Sequence, residues 1–147
     1  MARRRVRTTQ GRILPADSEF AHTCAEAGQI LSAAVGYFVE RIDLAVWGDS
    51  DRLAVMLRHG PDRPDLAIEL AGLRHLAMSK PPEASGSFID EVDVTFLPSD
   101  GTWPADAERL VSRHEGMPDL VRVRLVGPTE LDAVAATITV FVEHRRS

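Results

Sequence analysis

The serine best placed to act as a nucleophile is Ser50, in Gly48-Asp49-Ser50-Asp51 directly after an alternating apolar stretch. A serine hydroxyl attacks only when a base within hydrogen-bond reach takes its proton and a third group orients that base. The histidines stand at positions 22, 59, 75, 114 and 144, scattered and without a His-x-x-x-His pair. Cys24 is the single cysteine, so the ligand spacing of a zinc site is missing as well. His59, Asp62 and Asp65 carry groups that suit a cation, but Pro61 and Pro64 between them read as an exposed turn of solvated carboxylates. His114 falls on the apolar side of an expected helix end, where a histidine complements the dipole rather than catalyses. Neither Gly-x-x-x-x-Gly-Lys-Ser/Thr nor Gly-x-Gly-x-x-Gly occurs, and Lys80 is the sole lysine, which argues against a phosphate cradle.

Gly48-Asp49-Ser50-Asp51 is similar, over three residues, to the serine block of the GDSL/SGNH hydrolases. That resemblance implies Ser50 as nucleophile, together with glycine and asparagine blocks for the oxyanion and a late Asp-x-x-His pair. The chain contains no asparagine, and Asp132 and His144 stand twelve apart on one expected strand. A hairpin turn explains the tetrapeptide more simply. The expectation is a chain with no catalytic residues, no metal site and no cofactor.

Polar residues with the phase of a sheet's outer face offer a different kind of site. Asp90, Glu91 and Asp93 on one strand, Arg122 and Arg124 on the next, and Thr137, Thr139 and Glu143 on the last could form a charged surface. Cross-strand pairing alone selects such a pattern, at about 0.2–1 kcal/mol per pair. Trp47 and Phe141 share this outward phase, and aromatic rings on a charged sheet call for a cover. A protein partner, a second copy of the chain or the second helix would each serve. The candidate binding residues are therefore Trp47, Glu91, Asp93, Arg122, Arg124 and Phe141.

The elements that hold these residues follow from composition and periodicity. The chain has 147 residues, 44% hydrophobic and 27% charged, with a formal net charge of −5. That is one ordinary globular domain, long enough to bury a core without staples. Arg3, Arg4, Arg5, Arg7 and Arg12 precede any acid, so residues 1–16 read as a flexible basic arm and 17–147 as a single, distinctly acidic domain. The arm could contact nucleic acid through Arg3, Arg4, Arg5 and Arg7 in a salt-sensitive way, although the acidic body opposes that approach. The apolar stretch Ala27 to Val39 is shorter than the ~20 residues of a membrane span, and residues 8–19 lack the apolar run of a secretory leader. A cytoplasmic protein is expected.

A helix is expected from Asp17 or Ser18, with Phe20, Cys24, Ala27 and Leu31 on its buried stripe and Gly36 as its stop. Period-two alternation then places Phe38, Ile42, Leu44 and Val46 on one face, and Leu53, Val55 and Leu57 on a hairpin partner. Leu66, Ile68 and Leu70 form a third strand whose phase slips near Gly72, and Val92, Val94 and Phe96 a fourth. A second helix is expected from Pro104, with Ala107, Leu110, Val111 and His114 on one stripe and Gly116 beyond it. Val121, Val123 and Leu125, then Val134, Ala136, Ile138, Val140 and Val142, give two more strands. Connections this short disfavour a parallel sheet.

The fold class is thus α+β: a mainly antiparallel sheet of about six strands, packed on one face by the N-terminal helix, with a short second helix between strands four and five. The functional expectation is a small, acidic, non-catalytic interaction or regulatory protein, immunity-like in size and acidity. It would bind a protein partner, or itself as a homodimer, through a sheet face or edge. Two other readings stay open. One is a small-molecule-binding or hydrolytic domain with a pocket between helix and sheet, using Ser50, His59 and His75. The other is nucleic-acid contact through the arginine arm.

Overall fold

The computed structural model describes residues 2–5, 18–47, 50–82 and 88–144. Helix α1 spans Glu19–Leu31 and begins where the sequence places it: the Ser18 hydroxyl accepts the Ala21 N–H at 3.1 Å, and Glu19 stands in the first turn. Phe20, Cys24, Ala27 and Leu31 are all buried, and a 3-10 turn at Ser32–Ala34 closes the helix.

Among the described residues seven strands follow the chain as β1 (Ala2–Arg5), β2 (Phe38–Trp47), β3 (Ser50–Arg58), β4 (Asp65–Met78), β5 (Glu91–Leu97), β6 (Leu120–Val126) and β7 (Leu131–His144). All pairings are antiparallel, in the order β2-β3-β4-β7-β6-β5, with β1 beside β7. This is the expected α+β architecture with one strand added. Residues 2–5 fall in the stretch read as an arm, yet they lie in register with Phe141–His144. Main-chain pairing with an exposed strand edge needs no apolar pattern, so periodicity could not reveal β1. The rest of the expected arm, including Arg7 and Arg12, lies outside the described residues.

The sheet curls until its two outer strands meet at one end. Ile89 N–H donates to Tyr37 O at 2.7 Å, Gly36 N–H donates to Ile89 O at 2.9 Å, and Phe38 bridges Phe88. α1 lies in the resulting hollow against β5 and β7, with Phe20 edge-on to Phe96 at 5.9 Å. The main core joins its stripe to Leu53, Val55, Leu57, Leu66, Ile68, Leu70, Val123, Ile138 and Val140.

A second, smaller core sits on the opposite face, where Leu97, Trp103, Ala107, Met117, Leu120, Val134 and Ala136 pack together. Val134 and Ala136 therefore depart from the expected single face with Ile138, Val140 and Val142. The β4–β7 ladder bends beside Ala136, at Gly72. This residue has φ of 70°, a Cβ there would stand 2.9 Å from that of Ala136, and the β4–β7 register shifts between Leu73 and His75. The ends of β7 serve different cores.

The second helix, α2, is much shorter than its stripe suggests: four residues, Ala105–Glu108. Arg113 explains the early stop. Its guanidinium donates to Gly101 O at 2.7 Å, Ser99 O at 3.0 Å and Pro98 O at 3.3 Å, and lies 4.4 Å from the centre of the Trp103 ring. These bonds draw residues 109–116 into a wrap around Trp103 that a continuing helix could not make. Asp119, 1% exposed, anchors the same cover by accepting the Ser99 N–H at 2.6 Å.

Candidate functional site

The polar face expected to be free is in part a structural joint. Arg122 is only 7% exposed. Its Nε and Nη2 donate to both oxygens of Asp132, at 2.9 and 2.7 Å, and Nη1 donates to Asp106 at 2.7 Å. The planar fork thus ties α2 to β6 and β7. The hydrogen bonds it donates to Asp132, foremost, and to Asp106 hold the guanidinium above its ordinary pKa, despite the opposing cost of burial. Arg124 lies in register with Asp93 but turns toward Asp132, with Nε 4.0 Å away. Glu91 and Asp93 remain exposed on β5, the outer strand of that side.

The Arg122 hydrogen bond, foremost, holds Asp106 below the usual carboxylate range. A carboxyl whose folded pKa is depressed adds stability above its unfolded value of ~3.9 and loses it as pH falls through the folded value. Asp106→Asn is therefore expected to lower stability at neutral pH, and its difference from the unmodified chain should fade below about pH 4. Urea unfolding across that range checks this.

The two aromatic candidates do not come together. Phe141 is half-buried on β7, in register with Ala67 of β4 and Arg5 of β1. Trp47 ends β2 opposite Ser50, and the exposure expected of its ring lies outside the described residues. Arg3, Arg4 and Arg5 align with Glu143, Val142 and Phe141 in the β1–β7 ladder.

The residues with catalytic potential are likewise dispersed. Ser50 opens β3 and His59 follows its end, so the length of the nine-residue strand, about 30 Å, separates them. The His59 ring packs tilted against that of Tyr37, centroids 5.1 Å apart, and His75 is half-buried opposite Val134. Asp132, required by the hydrolase resemblance, is held by Arg122 at the far end of β7 from His144. Burial, aided by Asp119, pushes the Cys24 thiol up to about 12 and keeps it un-ionised. Among the described residues no group of three His, Cys, Asp or Glu side chains is arranged to hold a metal ion. No helix among them is long and apolar enough to cross a membrane.

What the structure leaves uncovered is apolar. Leu44 and Val46, expected in the core with Ile42, are 53% and 67% exposed, and Met78 is 40% exposed. The reason is length. The 13 residues of α1 reach about 20 Å, whereas the 10 residues of β2 extend about 33 Å. α1 lies over β5 and β7, so the end of β2 projects past it. A bulge between Val39 and Arg41 lets Val39 reach the core, while Ile42 is only partly buried. A groove of about 380 Å³ runs beside this strand, lined by Glu40, Arg41, Ile42, Leu44, Leu53, Leu76, Met78, Pro82 and Leu131. Sequence reasoning found Leu44 and Val46 but gave them the wrong neighbours. The mismatch between helix and strand lengths is the signal that could have corrected it.

A second groove, about 560 Å³, lies where the 3-10 turn meets β4, lined by Ile30, Ser32, Ala33, Val35, Tyr37, Arg63, Pro64, Leu66 and Val142. Its Tyr37 hydroxyl donates to Pro64 O at 2.9 Å.

No protein-family model, no curated protein and no solved structure matches the chain.

Proposed function

We propose that this protein is a non-catalytic interaction module that docks a protein partner along β2 and the groove beside it. The observation that carries the reading is the exposed row of Leu44 and Val46 on a terminal strand of the sheet, continued by Met78. Single exposed apolar side chains are ordinary, but a contiguous patch beside an open strand edge is a surface that association covers. Glu40 and Arg41 at its rim supply the polar border common to such interfaces.

A photo-crosslinking amino acid at position 46, introduced in the native host cell, tests the reading. It should give one discrete adduct, while the same group at the exposed Glu115 gives none. Failure of position 46 to cross-link at any cell density would overturn the proposal. Val46→Lys, directly opposite Asp51 in the β2–β3 ladder, should cost the isolated fold no more than about 0.5 kcal/mol, since the side chain is largely in water already and meets an opposite charge; thermal melting checks this.

A second reading, small-molecule binding, has the 560 Å³ groove in its favour, because its size suits a ligand and Arg63 and Tyr37 add polar groups to an apolar lining. Native mass spectrometry of the protein from its own cell would reveal such a ligand as added mass that Val35→Trp removes.

A further inference from the structure

We infer that the partner on β2 is a second copy of this chain, paired antiparallel through the same strand about a twofold axis at Leu44. The inference rests on the reading of β2 as a docking edge and specifies its occupant.

The first support is the strand itself. β2 ends the sheet, and beyond the Phe38–Phe88 bridge no described residue pairs with its outer edge. The sheet's other terminal strand, β5, carries exposed Glu91 and Asp93 and has α1 against it, both features that discourage strand addition. β2 carries exposed charges too, Glu40, Arg41 and Asp43, but it has no proline or lysine, and its inward-phase residues from 42 to 46 carry no charge. Both edges bear charge, and β5 has the helix against it as well.

The second support is that the open edge is self-complementary. An isologous contact requires each residue's partner to be paired back in the same way. With Leu44 on the axis, Leu44 faces the other copy's Leu44 and Ile42 faces its Val46, all on one side of the joined sheet. The exposed apolar side chains thereby cover one another. On the opposite side Asp43 faces Ala45 and Arg41 faces Trp47, so no like charges meet directly. Asp43 is already neutralised within its own chain by Arg41 at 2.9 Å, which limits repulsion across the axis.

Registers displaced toward the start of β2 do worse. An axis at Asp43 sets carboxylate on carboxylate, and an axis at Ile42 sets Leu44 against Glu40. Among these three, only the Leu44 register pairs all of Ile42, Leu44 and Val46 with one another. Such a contact lies at the small end of specific interfaces, about 1,000 Å², so the dimer should dissociate on dilution.

Leu44→Cys provides the test. Directly opposed residues in an antiparallel pair have Cα atoms about 4.5–5.5 Å apart, within disulfide range. Mild oxidation of purified Leu44→Cys should double the chain mass, whereas Val46→Cys, opposite Ile42 in this register, should stay single. In sedimentation the unmodified protein should move from monomer to dimer with concentration, and Leu44→Asp should remain monomeric with an unchanged circular dichroism spectrum.

An unmodified chain that stays monomeric at about 100 µM, a concentration at which even weak, small interfaces associate, would overturn the inference. So would cross-linking at 46 in place of 44. A photo-adduct from position 46 with a mass other than twice the chain would also overturn it while leaving β2 as a docking edge; no adduct at all removes both.

Discussion

Arg122→Ala is expected to lower the unfolding free energy by about 3 kcal/mol, the lower end of what removing one member of a buried ion pair costs. The lower end applies because Asp132 and Asp106 keep some access to water, with side chains 24% and 59% exposed, so neither carboxylate is stranded in a dry interior. Three short charge-assisted hydrogen bonds disappear together, and with them the tie between α2 and the sheet. The second core beneath Trp103 loses its clamp. Chemical denaturation measures the loss, and a tryptophan fluorescence change would localise it. Replacing both Arg122 and Asp132 with apolar residues of similar size should recover most of the stability, since the pair's net contribution is much smaller than the cost of breaking it. A loss well below 1 kcal/mol for Arg122→Ala would return this arginine to the role that its period-two spacing suggested, a contact residue on a free face.

Gly127→Ala is expected to cost about 3 kcal/mol, at the upper end of overpacking effects, and to lower the melting temperature by about 10 °C. A Cβ at this position would fall inside the contact distance of the Phe88 carbonyl oxygen and 3.6 Å from the Ile89 Cα, where no flexible side chain can give way. Backbone must move instead. The displaced segment is the one that closes the curled sheet, because Ile89 exchanges two main-chain hydrogen bonds with Gly36 and Tyr37 at the start of β2. Hydrogen exchange at the Ile89 amide should therefore accelerate in the variant relative to amides in the middle of β4. An unchanged melting temperature would mean that the turn at Gly127 can shift without disturbing Phe88. Through this junction a single methyl group at the β6–β7 connection acts on the strand proposed to bind a partner.

Much of the architecture was readable because local rules acted on it without competition. The α1 stripe is set by helical spacing and a serine cap, and Phe20, Cys24, Ala27 and Leu31 are buried accordingly. Hairpins β2–β3 and β3–β4 join alternating stretches that short connections allow to pair only antiparallel. The phase slip at Gly72 was visible too, but the departure of Val134 and Ala136 from the main core was not, since it required knowing which strand lay opposite. α2 misled for the opposite reason. Its stripe suited a helix beyond Glu108, but the carbonyls of residues 98–101 offered Arg113 partners that only the folded chain brings near.

The candidate site divides along the same line. Charged residues at period two marked a polar face, without revealing that Asp106 would arrive from α2 to claim Arg122. The docking edge consists of residues assigned to the core, exposed because a short helix cannot cover a long strand.

What the sequence by itself determined is everything governed by neighbours along the chain: where α1 begins, which residues alternate, where the turns fall, and hence an antiparallel α+β domain. Only the tertiary structure decided what lies against each face. Burial depends on which distant surface arrives, and on whether it is large enough to reach. Leu44 and Leu53 share a face and a register, yet Leu53 is sealed while Leu44 meets solvent.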